Sequence, residues 1–137
     1  MGADAWKKIS HGTDLDTLLK SSDFDDETFS EWVGMRVEQN GSRRSQVVRD
    51  SRLNTTFAYQ IIAGERHASR DKLLQLAFGL HLDVADTCDL LERGGSNRLR
   101  QDRRRDAIIA YALFHHLDVE ACDDLLWKHG EKTILPR

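Results

Sequence analysis

A stretch of fifteen residues, RLNTTFAYQIIAGER at 52–66, combines hydrogen-bonding and apolar side chains at helical spacing. At about 3.6 residues per turn, the apolar residues fall on one side of a helix and the polar residues on the other. The polar side holds Thr55, Thr56, Tyr59 and Gln60. A glutamine can bond adenine at two points, and a threonine offers a hydroxyl together with a methyl that contacts thymine. These side chains therefore have the chemistry of base recognition, although the same pattern also fits the wet face of a surface helix.

Two short helices joined by a tight turn are predicted to hold these side chains in place. The first helix covers 44–51. The second covers 55–63, because Asn54 is a favourable N-cap and Gly64 a favourable stop. Two helices in this order, the second with compact polar residues at its start, describe a helix-turn-helix. In that motif the second helix enters a DNA groove about 12 Å wide.

Charge is distributed unevenly along a chain whose formal net charge is −3. Residues 1–41 hold 4 Lys/Arg against 9 Asp/Glu, whereas residues 42–75 hold 7 against 3. The basic segment contains both predicted helices, and Arg43 and Arg44 at the start of the first are placed to hold phosphates. A polyanion would therefore meet a basic patch on an acidic protein.

The whole chain is expected to be all-α, because β-branched alternation is nowhere sustained and Pro136 is the only proline. Further helices are predicted at 13–20 with Thr13 or Asp14 as cap, at about 28–39, and from the cap Ser69 to about Leu80. The chain divides into an acidic N-terminal segment at 1–27, a helix-turn-helix bundle at 28–95, and an arginine-rich connection with a helical hairpin at 96–137. For 1–27 three alternatives stay open: partial disorder, a cover over the DNA face, or an extra packed helix, which Leu15, Leu18 and Leu19 favour.

Residues 70–95 and 105–130 resemble each other at a constant offset of 35, with eleven identities in 26 positions. The tetrapeptide HLDV occurs twice, in register. Each copy is predicted to form a helix, a turn whose Asp caps the next helix, and a second helix that ends at a glycine. We interpret this as a duplicated hairpin that stacks on its copy; convergence of two hairpins on one pattern is the alternative.

A second basic run, RLRQDRRRD, lies at 98–106. It fits a solvated loop and the first turn of the following helix, where Asp102 and Asp106 offset part of the charge. It could equally add phosphate contacts, or bind the acidic segment SSDFDDE of a second subunit.

The run RRSQVVRDSRLNTTFAYQIIAGERHASRDKLLQLAFGLHLD resembles the Cro/C1-type (lambda-repressor-like, XRE) family of helix-turn-helix transcriptional regulators. The matching landmarks are Leu53, Asn54, Phe57, Ile61, Gly64, Arg66, Ser69, Leu73, Leu74 and Ala77. The resemblance implies a five-helix bundle whose second and third helices contact double-stranded DNA, usually as a homodimer. The candidate DNA-binding residues are then Arg43, Arg44, Asn54, Thr55, Thr56, Tyr59, Gln60, Arg66 and His67.

Three positions depart from the family pattern. Arg52 stands at the turn glycine, Val48 at a small residue of the first helix, and Ala68 at the loop proline. A left-handed conformation at Arg52 would cost more than at glycine. For Tyr59, packing against a neighbouring helix and contact with DNA are both open, since a phenol can do both.

The alternative function is a protein-interaction module, such as an antitoxin or adaptor, that docks a partner through the C-terminal hairpin. We do not expect an enzyme, because no nucleophile and base pair or phosphate-binding glycine loop is present. No metal or cofactor is expected, since Cys88 and Cys122 lack partners at CxxC spacing. Without an apolar run of membrane-spanning length, we expect a cytoplasmic protein that does not enter membranes.

Overall fold

The computed structural model describes residues 2–136, with side chains from Ala5 onward. Over that range all regular structure is helical, which confirms the all-α prediction. The helices are α1 (Gly2–Ser10), α2 (Leu15–Ser21), α3 (Phe29–Asn40), α4 (Arg44–Ser51), α5 (Thr55–Ile62), α6 (Arg70–Gly79), α7 (Val84–Arg93), α8 (Arg104–Phe114) and α9 (Val119–Lys128).

Short polar side chains determine where most of these helices begin. Asp14 caps α2, and Thr28 caps α3 in a reciprocal capping box with Glu31. Asn54 Oδ1 accepts a hydrogen bond from the Phe57 backbone N–H at 3.1 Å at the start of α5. Such caps satisfy the free N–H groups in the first turn of a helix. The helices predicted around 44–51, at 55–63 and from Ser69 are confirmed to within a residue.

Helices α3 to α9 share one hydrophobic core. Its most deeply buried large side chains include Trp32, Leu74, Leu90 and Ile109. Against this core, α4 and α6 pack closely, and the side-chain amide of buried Gln75 donates to the carbonyl oxygen of Ser51 at 3.1 Å. Helix α6 therefore packs against α4 and helps to fix its position.

The N-terminal helices α1 and α2 pack mainly on each other, outside that core. Lys8 Nζ donates to the Ser21 carbonyl at 2.7 Å, and Leu18 is buried. The expectation that Leu15 and Leu19 also pack inward is wrong: they are 65% and 55% exposed. The predicted helix at 13–20 exists, but only one of its leucines has a neighbour to cover it.

The two resembling segments form hairpins with the same turns. His81 and His116 both adopt the left-handed conformation, with φ of 54° and 57°. Arg70 pairs with Asp106 at 2.9 Å, and the equivalent Arg105 pairs with Asp71, the equivalent of Asp106, at 3.1 Å. Exchanging the two hairpins therefore exchanges the two ion pairs, as across a two-fold axis. The hairpins do stack on each other, and the pairing is reciprocal.

Candidate nucleic-acid interface

The turn between α4 and α5 takes the left-handed conformation at Arg52, with φ of 61°. The buried Ser51 hydroxyl stabilises this turn, because it accepts from the Leu53 N–H at 3.2 Å and donates to the Val48 carbonyl at 2.6 Å. Arg52 itself pairs with Glu120 of α9 at 2.6 Å. Arg52 thus adopts the left-handed conformation although it is not a glycine. The turn is stabilised by hydrogen bonds among the adjacent residues Val48, Ser51 and Leu53 and by the ion pair with Glu120 of the C-terminal hairpin.

The candidate DNA-binding residues lie at the surface, at the start of α4, along α5 and in the loop that follows. Gln60 is partly buried, and Tyr59 is 40% exposed. The exposed members are Arg43, Arg44, Asn54, Thr55, Thr56, Tyr59, Arg66 and His67. On α5, Thr55, Thr56 and Tyr59 are exposed, as the helical period predicts, whereas Gln60 is partly buried. The Tyr59 side chain is partly packed and partly open to solvent.

Three arginines close to α5 in sequence, two at the start of α4 and one after α5, have no acidic partner among the described side chains. In residues 2–136, no carboxylate lies within 4 Å of the guanidinium groups of Arg43, Arg44 or Arg66. In contrast, Arg49 in the same basic segment pairs with Asp50 at 3.4 Å. Positive charge without an acidic partner is therefore left at the start of α4 and after α5, where a polyanion could bind.

The loop after α5 is tied back to that helix through Arg66. Its guanidinium lies 5.1 Å from the centre of the Phe57 ring, and its Nη1 lies 3.4 Å from Gln60 Oε1. A cation over an aromatic face is held weakly while it stays accessible to solvent. Arg66 is thereby positioned beside Gln60, with donors that remain available for a phosphate or a base edge.

The second basic run does not form a free cationic patch. Arg98 pairs with Glu92 at 2.6 Å, Arg100 with Asp102 at 2.7 Å, and Arg105 with Asp71 at 3.1 Å. The hydrogen bond from Arg100 lowers the pKa of the Asp102 carboxyl. The acidic segment, in turn, is bound within the same chain, because Arg93 pairs with Asp25 and Glu27. Most of this run is thus neutralised by the chain itself, and of its five arginines only Arg103 and Arg104 lack an ion pair in the part of the chain described.

Other chemistry-bearing residues are not assembled into a site. His115 and His116 are exposed, whereas Cys122 is buried, and burial raises the pKa of its thiol to about 12. Among residues 2–136 no group of three or more His, Cys, Asp or Glu is arranged to hold a metal ion. None of the helices in the same range is long and apolar enough to cross a membrane.

Comparisons with protein-family models, with curated proteins and with solved structures gave no match. The functional argument therefore depends on this chain's own residues. One contact at the turn between α4 and α5, the ion pair of Arg52 with Glu120, joins residues that are far apart in sequence, and no sequence pattern signalled it.

Proposed function

We propose that this chain is a sequence-specific double-stranded DNA-binding transcriptional regulator, acting as a repressor, with α4 and α5 as its helix-turn-helix. The observation that carries the proposal is exposed charge without acidic partners around the two helices. Among the described side chains, Arg43 and Arg44 at the start of α4 and Arg66 after α5 have no carboxylate within 4 Å, and Thr55 and Thr56 at the start of α5 are exposed. Arginines in such positions suit phosphate contacts, which set register, and compact hydrogen-bonding side chains between them suit base edges.

In this proposal helices α3 to α7 are the five-helix, lambda-repressor-like bundle of the Cro/C1-type family. The short α4 and α5 with their tight turn, and the support of α4 by α6, are consistent with that arrangement. The protein would act in the cytoplasm as a homodimer on a two-fold DNA site and would need no cofactor.

Selection from a pool of random duplexes, followed by a salt titration on the enriched site, tests the proposal. We expect an enriched motif, and an affinity that falls steeply with salt because bound phosphates release their counterions. A folded protein that enriches no motif and shows no salt-dependent binding to duplex would refute it.

A second candidate is a protein-interaction module, such as an antitoxin or adaptor. It is supported by exposed aromatic side chains on the C-terminal hairpin, Tyr111 at 56% and Phe114 at 72%. The test is whether the chain isolated from its own cells carries a different protein in stoichiometric amount. Loss of that protein from a Phe114→Glu variant would place the contact on the hairpin.

A further inference from the structure

The equivalent helices α6 and α8 are covered to very different extents. On α6, Gln75 bonds Ser51 of α4, and Gly79 is buried against the same helix. The positions on α8 that correspond to them, at the offset of the duplication, are Ala110 and Phe114. Phe114 is 72% exposed. The face that receives α4 in the first hairpin is thus left open in the second.

The open face of α8 carries both a projection and a depression. Ala107, Tyr111 and Phe114 follow one another at helical spacing, and Tyr111 is 56% exposed. Ala107 and Tyr111 also form part of the wall of an open cavity of about 700 Å³, which is lined further by apolar Ile108 and Leu125 and by polar Gln101, Asp102, Arg104 and His129. An exposed aromatic side chain such as Phe114 near a partly apolar depression can be complementary to the same surface of a second copy, because a two-fold axis places each projection in the depression of the other copy.

The two ends of the hairpin carry opposite charges, so the hairpin is also complementary in charge to an antiparallel second copy. Where α8 begins and α9 ends, Arg103, Arg104 and Lys128 have no carboxylate within 4 Å in the described chain. The opposite end of the hairpin, at the start of α9, carries Asp118, which has no cation within 4 Å in the described chain, and Glu120, which pairs with Arg52. If two hairpins lie antiparallel, the basic end of each meets the acidic end of the other.

We propose that the open face of α8 is the site at which a second copy of this chain binds, with the two α8 helices antiparallel across a two-fold axis. The reciprocal pairing of Arg70 with Asp106 and of Arg105 with Asp71 shows that this type of hairpin already packs on its own copy within one chain. A contact in which both partners use the same face closes at two copies, so the product is a dimer and not a filament.

This inference deepens the proposed function, because a dimer built on α8 carries two helix-turn-helix units, but it does not depend on DNA binding. Sedimentation of the full chain without DNA measures the dimer alone. If DNA binding fails while the dimer forms, only the proposed function is lost. If the chain is monomeric but still enriches a DNA half-site, this inference and the homodimeric part of the proposed function are lost, while sequence-specific DNA binding stands.

The experiment compares the wild-type chain with a Tyr111→Glu, Phe114→Glu double variant by sedimentation equilibrium. We expect a wild-type dimer, and a dissociation constant at least about 30-fold higher in the variant, the loss typical when central interface aromatics are removed. The matched control is Leu15→Glu, Leu19→Glu, which changes two exposed apolar residues of α2 and should leave the dimer intact. A monomeric wild type, a dimer that survives the α8 variant, or a dimer lost only in the α2 variant would overturn the proposal.

Cross-linking provides a second measurement that needs no disruptive change. Ala107 is small and exposed on the open face, one turn before Tyr111, so Ala107→Cys should join two copies through a bismaleimide. Ser45→Cys, at an exposed position of α4, is the control and should not. The native Cys88 and Cys122 are buried and stay unmodified in the folded protein. Equal cross-linking at both introduced cysteines would contradict the proposed surface.

Discussion

A Cβ atom built on Gly79 would lie 2.4 Å from the main-chain carbonyl oxygen of Val47. The same atom would lie 2.9 Å from Cβ of Ser51. Helices α4 and α6 thus cross with their backbones in contact, at a distance that no other residue type permits. Because α4 begins at Arg44, this crossing also sets where the start of α4, the proposed phosphate-binding end, lies.

Gly79→Ala should therefore destabilise the protein, although alanine is the better helix former by about 1 kcal/mol. The added methyl meets backbone, which cannot move aside as a side chain can, so helix α4 must shift. We expect a loss of about 1–3 kcal/mol in the free energy of unfolding, the usual cost of overpacking. Urea denaturation followed by circular dichroism measures it.

Gly34→Ala in α3 is the matched control. There the new Cβ would meet only the guanidinium end of Arg44, at 3.4 Å, and that group can move into solvent. The substitution should leave stability unchanged or raise it by up to about 1 kcal/mol. If the two alanine variants unfold at the same urea concentration, the account of the crossing is wrong.

The reciprocal ion pairs between the hairpins are expected to differ in strength. The side chain of Asp106 is only 7% exposed, whereas that of Asp71 is 25% exposed and has Lys132 as a second partner at 3.6 Å. Arg70→Ala leaves a buried carboxylate without its charged partner, which costs about 3–5 kcal/mol. Arg105→Ala should cost less, because water and Lys132 can still solvate Asp71. Thermal and urea unfolding of both variants test the order.

Arg98→Ala provides the baseline for that comparison. Arg98 pairs with Glu92 at the surface, where both side chains are at least half exposed. Such pairs contribute about 0–1 kcal/mol. A loss for Arg70→Ala no larger than this baseline would show that Asp106 is stabilised by its bond from the Arg100 N–H and needs no cation.

Helix positions followed from the sequence where a local signal sets them. Asn54 and Ser69 cap the helices they precede, and Gly41 ends α3 in the left-handed conformation that only glycine adopts freely. The polar face of α5 followed from the helical period alone. These features depend on neighbours within one or two turns, so the sequence contains what is needed to predict them.

Features that depend on distant partners did not follow from the sequence. The arginine run contains five cations, but whether each is free is decided by carboxylates such as Glu92 and Asp71 that the fold brings close. Helix α1 was not predicted. Of its side chains from Ala5 onward, only Ala5 is buried. In the candidate interface, the link from Arg66 to Phe57 depends on loop conformation, which residue types do not specify.

Alkaline pH should destabilise the protein through Cys122. Burial, with a smaller effect of the neighbouring Asp123 charge, raises the pKa of this thiol from 9.0 to about 12. Because the unfolded chain loses this proton first, the stabilisation is complete below pH 9 and is lost progressively as pH rises towards 12. The free energy of unfolding should fall by at most about 1.4 kcal/mol per pH unit there.

Cys122→Ala isolates this contribution, since alanine has no proton to lose. The variant is less stable at neutral pH because it leaves a small cavity, but its stability should decline less steeply above pH 9 than that of the wild type. Parallel curves for the two proteins between about pH 8 and 11, the range in which the unfolded thiol loses its proton, would exclude the thiol as the cause.

Gln60→Ala and Arg44→Ala should weaken DNA binding in different ways. Gln60 lies within the polar face of α5, so its loss should relax specificity at one base pair by about 1–3 kcal/mol. Arg44 is exposed and has no acidic partner in the described chain, so its loss should weaken binding to all sequences alike. The slope of log affinity against log salt should fall by about 1 for Arg44→Ala only. Competition binding on a set of single-base variants, at several salt concentrations, separates the two effects.

Arg49→Ala is the matched control on the same helix. Arg49 is exposed to solvent, as Arg44 is. It lies on another face of α4, however, and pairs with Asp50. Its removal takes away one positive charge, as Arg44→Ala does, without touching the proposed contact surface. If Arg49→Ala reduced the salt slope as much as Arg44→Ala, binding would follow net charge alone. The start of α4 would then have no special role, because a nonspecific polyelectrolyte effect does not distinguish the faces of a helix.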